Sequence, residues 1–459
     1  MTARSRRPTR PPPGTTVTAT RSASSARCIP SLADSNPGTG NPKRLRLAAV
    51  WLLAASAPVL AAENSGGSPV TDFWRAVTSE EQRVSEQALQ AASDDVATLY
   101  AWLKAGPAFS PDVRTGAWEA ERTGADGLIF RYGVVVPDSY DPEVSYPVEF
   151  LLHGGVARPE WGPGVDWWRS GYANLQREDR IFVVPAAWRE AFWWHDNQAD
   201  NLPAVLREVK RLYNVDDDRV SMTGISDGGT GAYFFAFKQP SEWASFMPYI
   251  GHPGVLRNPA GGVNYRLYFE NLTAKPLYIV NGELDRLYPA ASLQSFIDVL
   301  IEAEVEHVFR VIEGGGHDTR WLPDETPAIE RFKTEHPRDP FPDSLQWVTD
   351  RDDRYNRNMW LRVDRMASPE FPAVMPSVIR AERDGNRFTV EATAVAGFSL
   401  LLSPEEVDFS EPVTVSVNGE TVYEDLVEQS TETLLRWARE TLDRQALFTA
   451  ELAISLLAE

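Results

Sequence analysis

The spacing of apolar residues changes twice along this chain, and the changes divide it. Between residues 71 and 105, Phe73, Trp74, Val77, Leu89, Val96, Leu99, Trp102 and Leu103 follow a helical pattern. From 118 to 312 short apolar runs take over, at 118–123, 128–136, 146–152, 181–185, 220–225, 245–250, 277–280 and 307–312. The first two flank a turn at Asp126-Gly127 and read as a strand pair. Helical stretches at 201–213, 229–237 and 290–303 separate several of the others. Continuous apolar strands alternating with helices predict a mostly parallel sheet covered on both faces. Beyond Pro337, Pro340 and Pro342, which mark a linker, the strands alternate apolar with polar: 345–349, 359–363, 387–394, 398–402 and 413–417. Asn418-Gly419 then offers a type I′ turn into 420–423. A helical or mixed stretch over 431–457 closes the chain.

The resulting division is 1–62 as leader, 63–110 as a helical segment, 111–336 as an α/β domain, and 337–459 as a small β-rich appendage. In that appendage Phe388, Val390, Phe398, Leu400, Leu402, Val413 and Val415 form an apolar set too large to leave in water. A lone hairpin is marginally stable, so the segment is expected to lean on the larger domain.

Composition adds exclusions. A formal charge of −20 disfavours nucleic acid or an anionic membrane as a partner, since either requires a basic face. Residues 1–42, rich in Pro, Ser, Thr and Arg, lack an apolar period and predict disorder. Lys43, Arg44 and Arg46 precede an apolar run over 47–60 that ends at Ala61-Ala62, the pattern of an export signal. That run is shorter than the roughly 20 residues that span a bilayer, so stable insertion is not expected. The expected location is therefore secreted or periplasmic. The leader also holds Cys28, the only cysteine, which removes disulfides, thiol chemistry and Cys-ligated metals from the exported part.

The chemistry centres on Gly224-Ile225-Ser226-Asp227-Gly228, placed between a strand and a helix start. A serine lifted on so tight a turn needs small neighbours, and the helix that follows points its N-terminus at the hydroxyl. Serine needs a base to take its proton, and the base needs an orienting acid. Asp285 follows the strand at 277–280, and His317 follows the strand at 307–312 after three glycines. All three residues fall on loops at the carboxyl edge of the predicted sheet, where α/β proteins build sites. Glu283 is the rival acid; Asp285 is preferred because it lies past the strand end and just before Tyr288-Pro289. His153-Gly154-Gly155 ends an earlier strand. Backbone N–H groups of Gly154 or Gly155, with that of Asp227, would form an oxyanion hole, where each donor contributes about 3–4 kcal/mol.

These motifs, Leu152-His153-Gly154-Gly155, the stretch from Asp218 to Gly229, Gly282-Glu283-Leu284-Asp285 and Gly316-His317, carry a resemblance to the α/β-hydrolases over about 115–335. The nearest groups are dienelactone hydrolases, feruloyl esterases, polyhydroxybutyrate-depolymerase-like esterases and prolyl-oligopeptidase catalytic domains. The resemblance implies an eight-stranded type of sheet and a triad of Ser226, His317 and Asp285. Dienelactone hydrolases use a cysteine nucleophile, so Ser226 departs from them and their lactone chemistry does not carry over.

Trp161, Trp167, Trp168, Trp188, Trp193 and Trp194 lie between the glycine pair and the serine turn. They read either as packing or as a roof; of them Trp161, Trp167, Trp168, Trp193 and Trp194 would stack on a sugar or aromatic acyl group. Asp216-Asp217-Asp218 lacks the ligand spacing of a calcium loop and reads as a solvated turn. His195-Asp196 and His252 lack a second ligand at metal spacing, so neither metal nor cofactor is expected. The sequence thus predicts a serine hydrolase acting on small or polymer-linked carboxylic esters. A serine peptidase with the same groups is the alternative, and a hydrolase-fold binding protein without activity is a reading from another class.

Overall fold

The computed structural model describes residues 68–159, 175, 177–259, 262–367 and 375–456. The export-like segment, the leader before it and Trp161, Trp167 and Trp168 lie outside the described residues.

Three helices open the described chain: α1 (Pro69–Arg75), α2 (Ser79–Ala92) and α3 (Val96–Ala105). Each starts on a side-chain cap. Ser68 accepts from the Thr71 N–H, Thr78 and Glu81 form a reciprocal capping box, and Asp95 accepts from the Thr98 N–H. The large sheet follows with β1 (Gly116–Thr123), β2 (Ile129–Val136), β3 (Tyr146–Leu152), β4 (Ile181–Pro185), α4 (Asp196–Leu212), β5 (Val215–Ile225), α5 (Asp227–Lys238) and β6 (Ser245–Tyr249). It is completed by β7 (Leu277–Gly282), α6 (Gln294–Glu302), β8 (His307–Ile312) and α7 (Leu322–Glu335). Strand order is β1-β2-β4-β3-β5-β6-β7-β8. Only β2 runs against its neighbours; every other pairing is parallel.

Period-two alternation decides which helices cover which face. Val183 joins Val134, Phe150, Met222 and Ile279 in the cluster that takes in Leu202 and Val205 of α4 and Leu300 of α6. Its neighbours Phe182 and Val184 point the other way, to Phe130 and Trp188. On that second face Tyr249, Tyr278 and Val280 meet Ile329 and Phe332 of α7. Glu149 of β3 is buried there, taking Lys333 Nζ of α7 at 2.6 Å, Thr223 Oγ1 at 2.6 Å and Arg180 Nη1 at 3.1 Å. Burial works against its charge, but these partners outweigh it and hold its pKa low. The cluster fixes α7 to the sheet, and with it the loop that runs in from β8.

The C-terminal region comprises β9 (Ser344–Thr349), β10 (Arg357–Asn358), β11 (Leu361–Met366), β12 (Ser377–Asp384), β13 (Arg387–Thr393), β14 (Val395–Leu402), β15 (Val413–Val417), β16 (Glu420–Asp425), α8 (Thr431–Thr441) and β17 (Ala450–Ser455). These strands form two sheets, β10-β11-β14-β17 and β16-β15-β13-β12-β9. The apolar residues named as too large a set to leave in water face one another across the two sheets, so the region has its own core. The closing stretch is also not one helix: Ala450, Leu452 and Ile454 point inward from β17.

The linker at 337–342 is tightly held rather than loose. Arg338 is buried between β5 and the residues after α8, donating to Asp218 Oδ1 at 2.8 Å and to Asp443 Oδ2 at 2.5 Å. The Asp216–Asp218 stretch is correspondingly not a solvated turn. Asp217 is buried against Lys210 Nζ at 2.8 Å and accepts from the Arg444 N–H at 3.0 Å. Asn271 acts as a surrogate strand partner, exchanging hydrogen bonds of 2.8 and 2.9 Å with the Val348 backbone. Phe73, Leu89, Leu99 and Leu103 of the N-terminal helices share a core with Leu434, Leu435 and Ala438 of α8. Residues from Ser68 onward therefore form one compact unit. Among the described residues no helix is long and apolar enough to cross a membrane.

Burial alone would raise the Asp443 pKa, but Arg338 and then Lys210 outweigh it and hold the carboxyl well below the usual range. A depressed folded-state pKa adds stability above the unfolded value near 4, and that stability is lost as pH falls below it. Arg338→Ala should cost about 3–5 kcal/mol at pH 7, because two carboxylates lose their partner. The gap between the native chain and Asp443→Asn should shrink below about pH 4. Urea unfolding at pH 7, 4 and 3 measures both; a pH-independent gap would contradict the assignment.

Candidate active site

The site is built on a backbone constraint. Ser226 sits at φ 58° and ψ −116°, a region costing a non-glycine residue about 1–3 kcal/mol. Two close approaches hold it there. A Cβ on Gly224 would lie 2.0 Å from Gly228 O, and one on Gly228 would lie 2.0 Å from Leu152 O. Only glycine allows β5 to reverse into α5 while β3 passes this near. The Ser226 N–H donates to Tyr249 O of β6 at 2.9 Å, and Ser226 O accepts from the Thr230 N–H at 3.0 Å. The hydroxyl is thus fixed from the strand on one side and the helix on the other.

His317 Nε2 lies 2.9 Å from Ser226 Oγ, and His317 Nδ1 lies 2.8 Å from Asp285 Oδ2. Asp285 has no exposed side-chain surface, whereas about a quarter of His317 is open. The other carboxyl oxygen, Asp285 Oδ1, accepts from the backbone N–H of Leu287 at 2.8 Å and of Tyr288 at 3.0 Å. With Asp285 accepting at Oδ2, the imidazole carries its proton on Nδ1 and turns a bare Nε2 to the serine hydroxyl. Such an imidazole can take the Ser226 proton as the oxygen attacks.

Glu283 does different work. Its Oε2 accepts from the Gly314 N–H at 2.8 Å, while the Leu284 N–H donates to Gly315 O at 2.8 Å. The acid loop and the histidine loop are stitched together there, beyond the ends of β7 and β8. Glu283 orders the loops, and Asp285 alone of the two reaches the imidazole.

The glycine loop expected to bind an oxyanion is equally constrained. A Cβ on Gly154 would lie 2.9 Å from Ser226 Cβ, so the Gly154 backbone is adjacent to Ser226. Gly155, at φ 71°, turns toward Arg158. Asp227 is the first residue of α5, where a backbone N–H has no partner within the helix. The Asp227 side chain ties two loops together. Its Oδ2 accepts from the Val156 N–H at 2.9 Å, locking the glycine loop to the serine turn.

Two residues named in the sequence support the glycine loop in ways the sequence did not show. His153 Nε2 accepts from the Ala187 N–H at 3.0 Å, so Nδ1 carries the proton and donates to Gly154 O at 3.0 Å. Burial is the main reason its pKa drops to about 4, which keeps it neutral. Trp193 Nε1 donates to His153 O at 2.8 Å. That contact corrects the expected role of Trp193, which is fully buried beneath the loop; Trp194 is buried as well. Neither offers a face to a ligand. The signal for them lay in their position beside the glycine loop, but sequence cannot say whether a ring points in or out.

A mostly parallel eight-stranded sheet with a tight serine turn after β5 defines an α/β-hydrolase. Residues 130–319 match the model of the dienelactone hydrolase family. Similar solved structures include a thermostable esterase, with 19% identity over 48% of this chain and 63% of that one and a TM-score of 0.38. A ferulic acid esterase shows 17% identity over 49% and 99% with a TM-score of 0.38. Dipeptidyl peptidase 4 of Porphyromonas gingivalis shows 15% over 49% and 36% with a TM-score of 0.38. The chain therefore spans less than two thirds of the thermostable esterase and about a third of the peptidase.

The division of labour between the acids has a direct readout. Asp285→Asn should lower ester turnover by about 10⁴-fold, because an amide can reverse the imidazole tautomer. Glu283→Gln, which keeps an acceptor for the Gly314 N–H, should stay within about tenfold of the native chain. Steady-state kinetics that rank the two the other way would overturn the assignment.

Proposed function

We propose that this chain is a serine hydrolase that cleaves carboxylic esters through an acyl-enzyme intermediate. The observation that carries the reading is the hydrogen-bonded row from Ser226 through His317 to Asp285, on a turn that only glycine neighbours permit. Ser226 Oγ attacks the ester carbonyl carbon while His317 Nε2 takes its proton. The resulting oxyanion is met by the N–H of Asp227 and that of the Gly154 segment. Collapse breaks the bond to the alkoxy oxygen, which leaves with the proton from His317. Water then enters, gives a proton to Nε2, attacks the acyl carbon and releases the acid with Ser226 restored. The family match supports hydrolase chemistry; the serine nucleophile and the ester are our own finer reading.

With Trp193 and Trp194 in the core, nothing described favours an aromatic acyl group over another, and the proposal is restricted to the ester bond. A fluorophosphonate should label the full chain at Ser226 alone. Esters should turn over faster than peptide amides of matching acyl part. Labelling at another residue, or none above a heat-denatured control, defeats the serine reading; faster amide cleavage would make the protein a peptidase.

A further inference from the structure

Hydrogen bonds at Nδ1 and Nε2 hold the His317 imidazole by its two nitrogens, and the rest of the ring is held only by packing. About a quarter of that side chain is open to solvent, so the ring's orientation also depends on what packs against its covered part. Tyr288 stands there. Its ring meets His317 edge-on, with centroids 5.9 Å apart and planes at 64°. It also packs against His252, at 5.8 Å and 35°. His252 is itself anchored: Nδ1 accepts from the Gly254 N–H at 2.9 Å, so Nε2 carries the proton and donates to Ser292 O at 3.3 Å.

The Tyr288 backbone is clamped at both ends. Its N–H donates to Asp285 Oδ1 at 3.0 Å, and its carbonyl accepts from Asn281 Nδ2 at 3.0 Å. Asn281 is fully buried on β7, and the same Nδ2 donates to Gly251 O at 3.3 Å, just past β6. One residue thus holds the acid by its backbone and packs its ring on the base, with its own place set from β7 through Asn281.

We infer that Tyr288 is a positioning residue, whose ring, backed by His252, keeps the His317 imidazole turned with Nε2 toward Ser226. This rests on the reading of Ser226, His317 and Asp285 as the catalytic row. The hydroxyl is not required for the role. Burial first, and then the Asp227 and Asp285 carboxylates, push its pKa up, so it stays a neutral phenol.

The test compares Tyr288→Phe, Tyr288→Leu and Tyr288→Ala in the full chain, using a short acyl ester. Tyr288→Phe should keep kcat within about twofold, since the ring remains. Tyr288→Leu and Tyr288→Ala should lose about 100-fold in kcat, the scale of a small misplacement of a catalytic group, with KM nearly unchanged. The downfield proton resonance of the His317–Asp285 hydrogen bond should survive in Tyr288→Phe and broaden or vanish in Tyr288→Leu. The leucine variant retains bulk, so it reports even if the alanine variant fails to fold. Native kcat and an intact resonance in Tyr288→Leu would overturn the inference. So would a loss confined to KM, which marks a substrate contact, or a Tyr288→Phe as impaired as Tyr288→Ala, which marks the hydroxyl. If the native chain takes no fluorophosphonate at Ser226, the underlying reading fails; if it does and Tyr288→Leu reacts equally fast, only this inference fails.

Discussion

The conformation of one residue organises the site. Ser226 at positive φ is unfavourable by itself, and it persists because β3, β6 and α5 leave the chain no other path. Gly224 and Gly228 are the counterpart of that strain, since a methyl group at either would collide with a neighbouring backbone carbonyl. Everything else about the site follows from holding that hydroxyl still. The glycine loop is locked to it through Asp227 and Val156, and the histidine loop is tied to the acid loop through Glu283 and Gly314. Placement of this kind lowers a barrier because the reacting groups need not be ordered at the moment of reaction.

A second constraint lies farther off, below β5. The strand that leads into Ser226 begins at Val215, and its first residues include Asp217 and Asp218. Both are captured by cations: Lys210 of α4 and Arg444 beyond α8 for one, Arg338 for the other. Breaking such a buried pair costs more than making it gains, and the pairs that involve Arg338 and Arg444 tie the C-terminal region to β5. The N-terminal helices reinforce that placement, because their apolar faces are completed by α8. The two ends of the described chain thus share one core on the hydrolase sheet.

How much of this was legible depends on whether the cause is local. The serine turn is written in consecutive residues, since the glycines must adjoin the serine they permit. The loops bearing Asp285 and His317 are legible for a similar reason, coming directly after apolar strands. The Arg338–Asp443 pair joins residues 105 positions apart, and neither has a local signature. The strand at Ala450–Ser455 was hidden because Ala, Glu and Leu favour helices, while burial of alternate residues decides otherwise. Trp193 gave a true signal of location and a false one of direction. Tyr288 served in the sequence only to mark the end of the acid loop and Asn281 was not singled out, because their contacts run through backbone carbonyls and ring packing that no local pattern encodes.

The account stands on a covalent intermediate at Ser226. Rapid acid quench of the full chain during turnover of a slow-leaving acyl ester, followed by intact-mass and peptide mapping, tests it most directly. The predicted result is a gain of one acyl group on the peptide carrying Ser226, lost on further incubation and absent from Ser226→Ala, which is itself inactive. An adduct on another residue, or ester hydrolysis that survives Ser226→Ala, would contradict it.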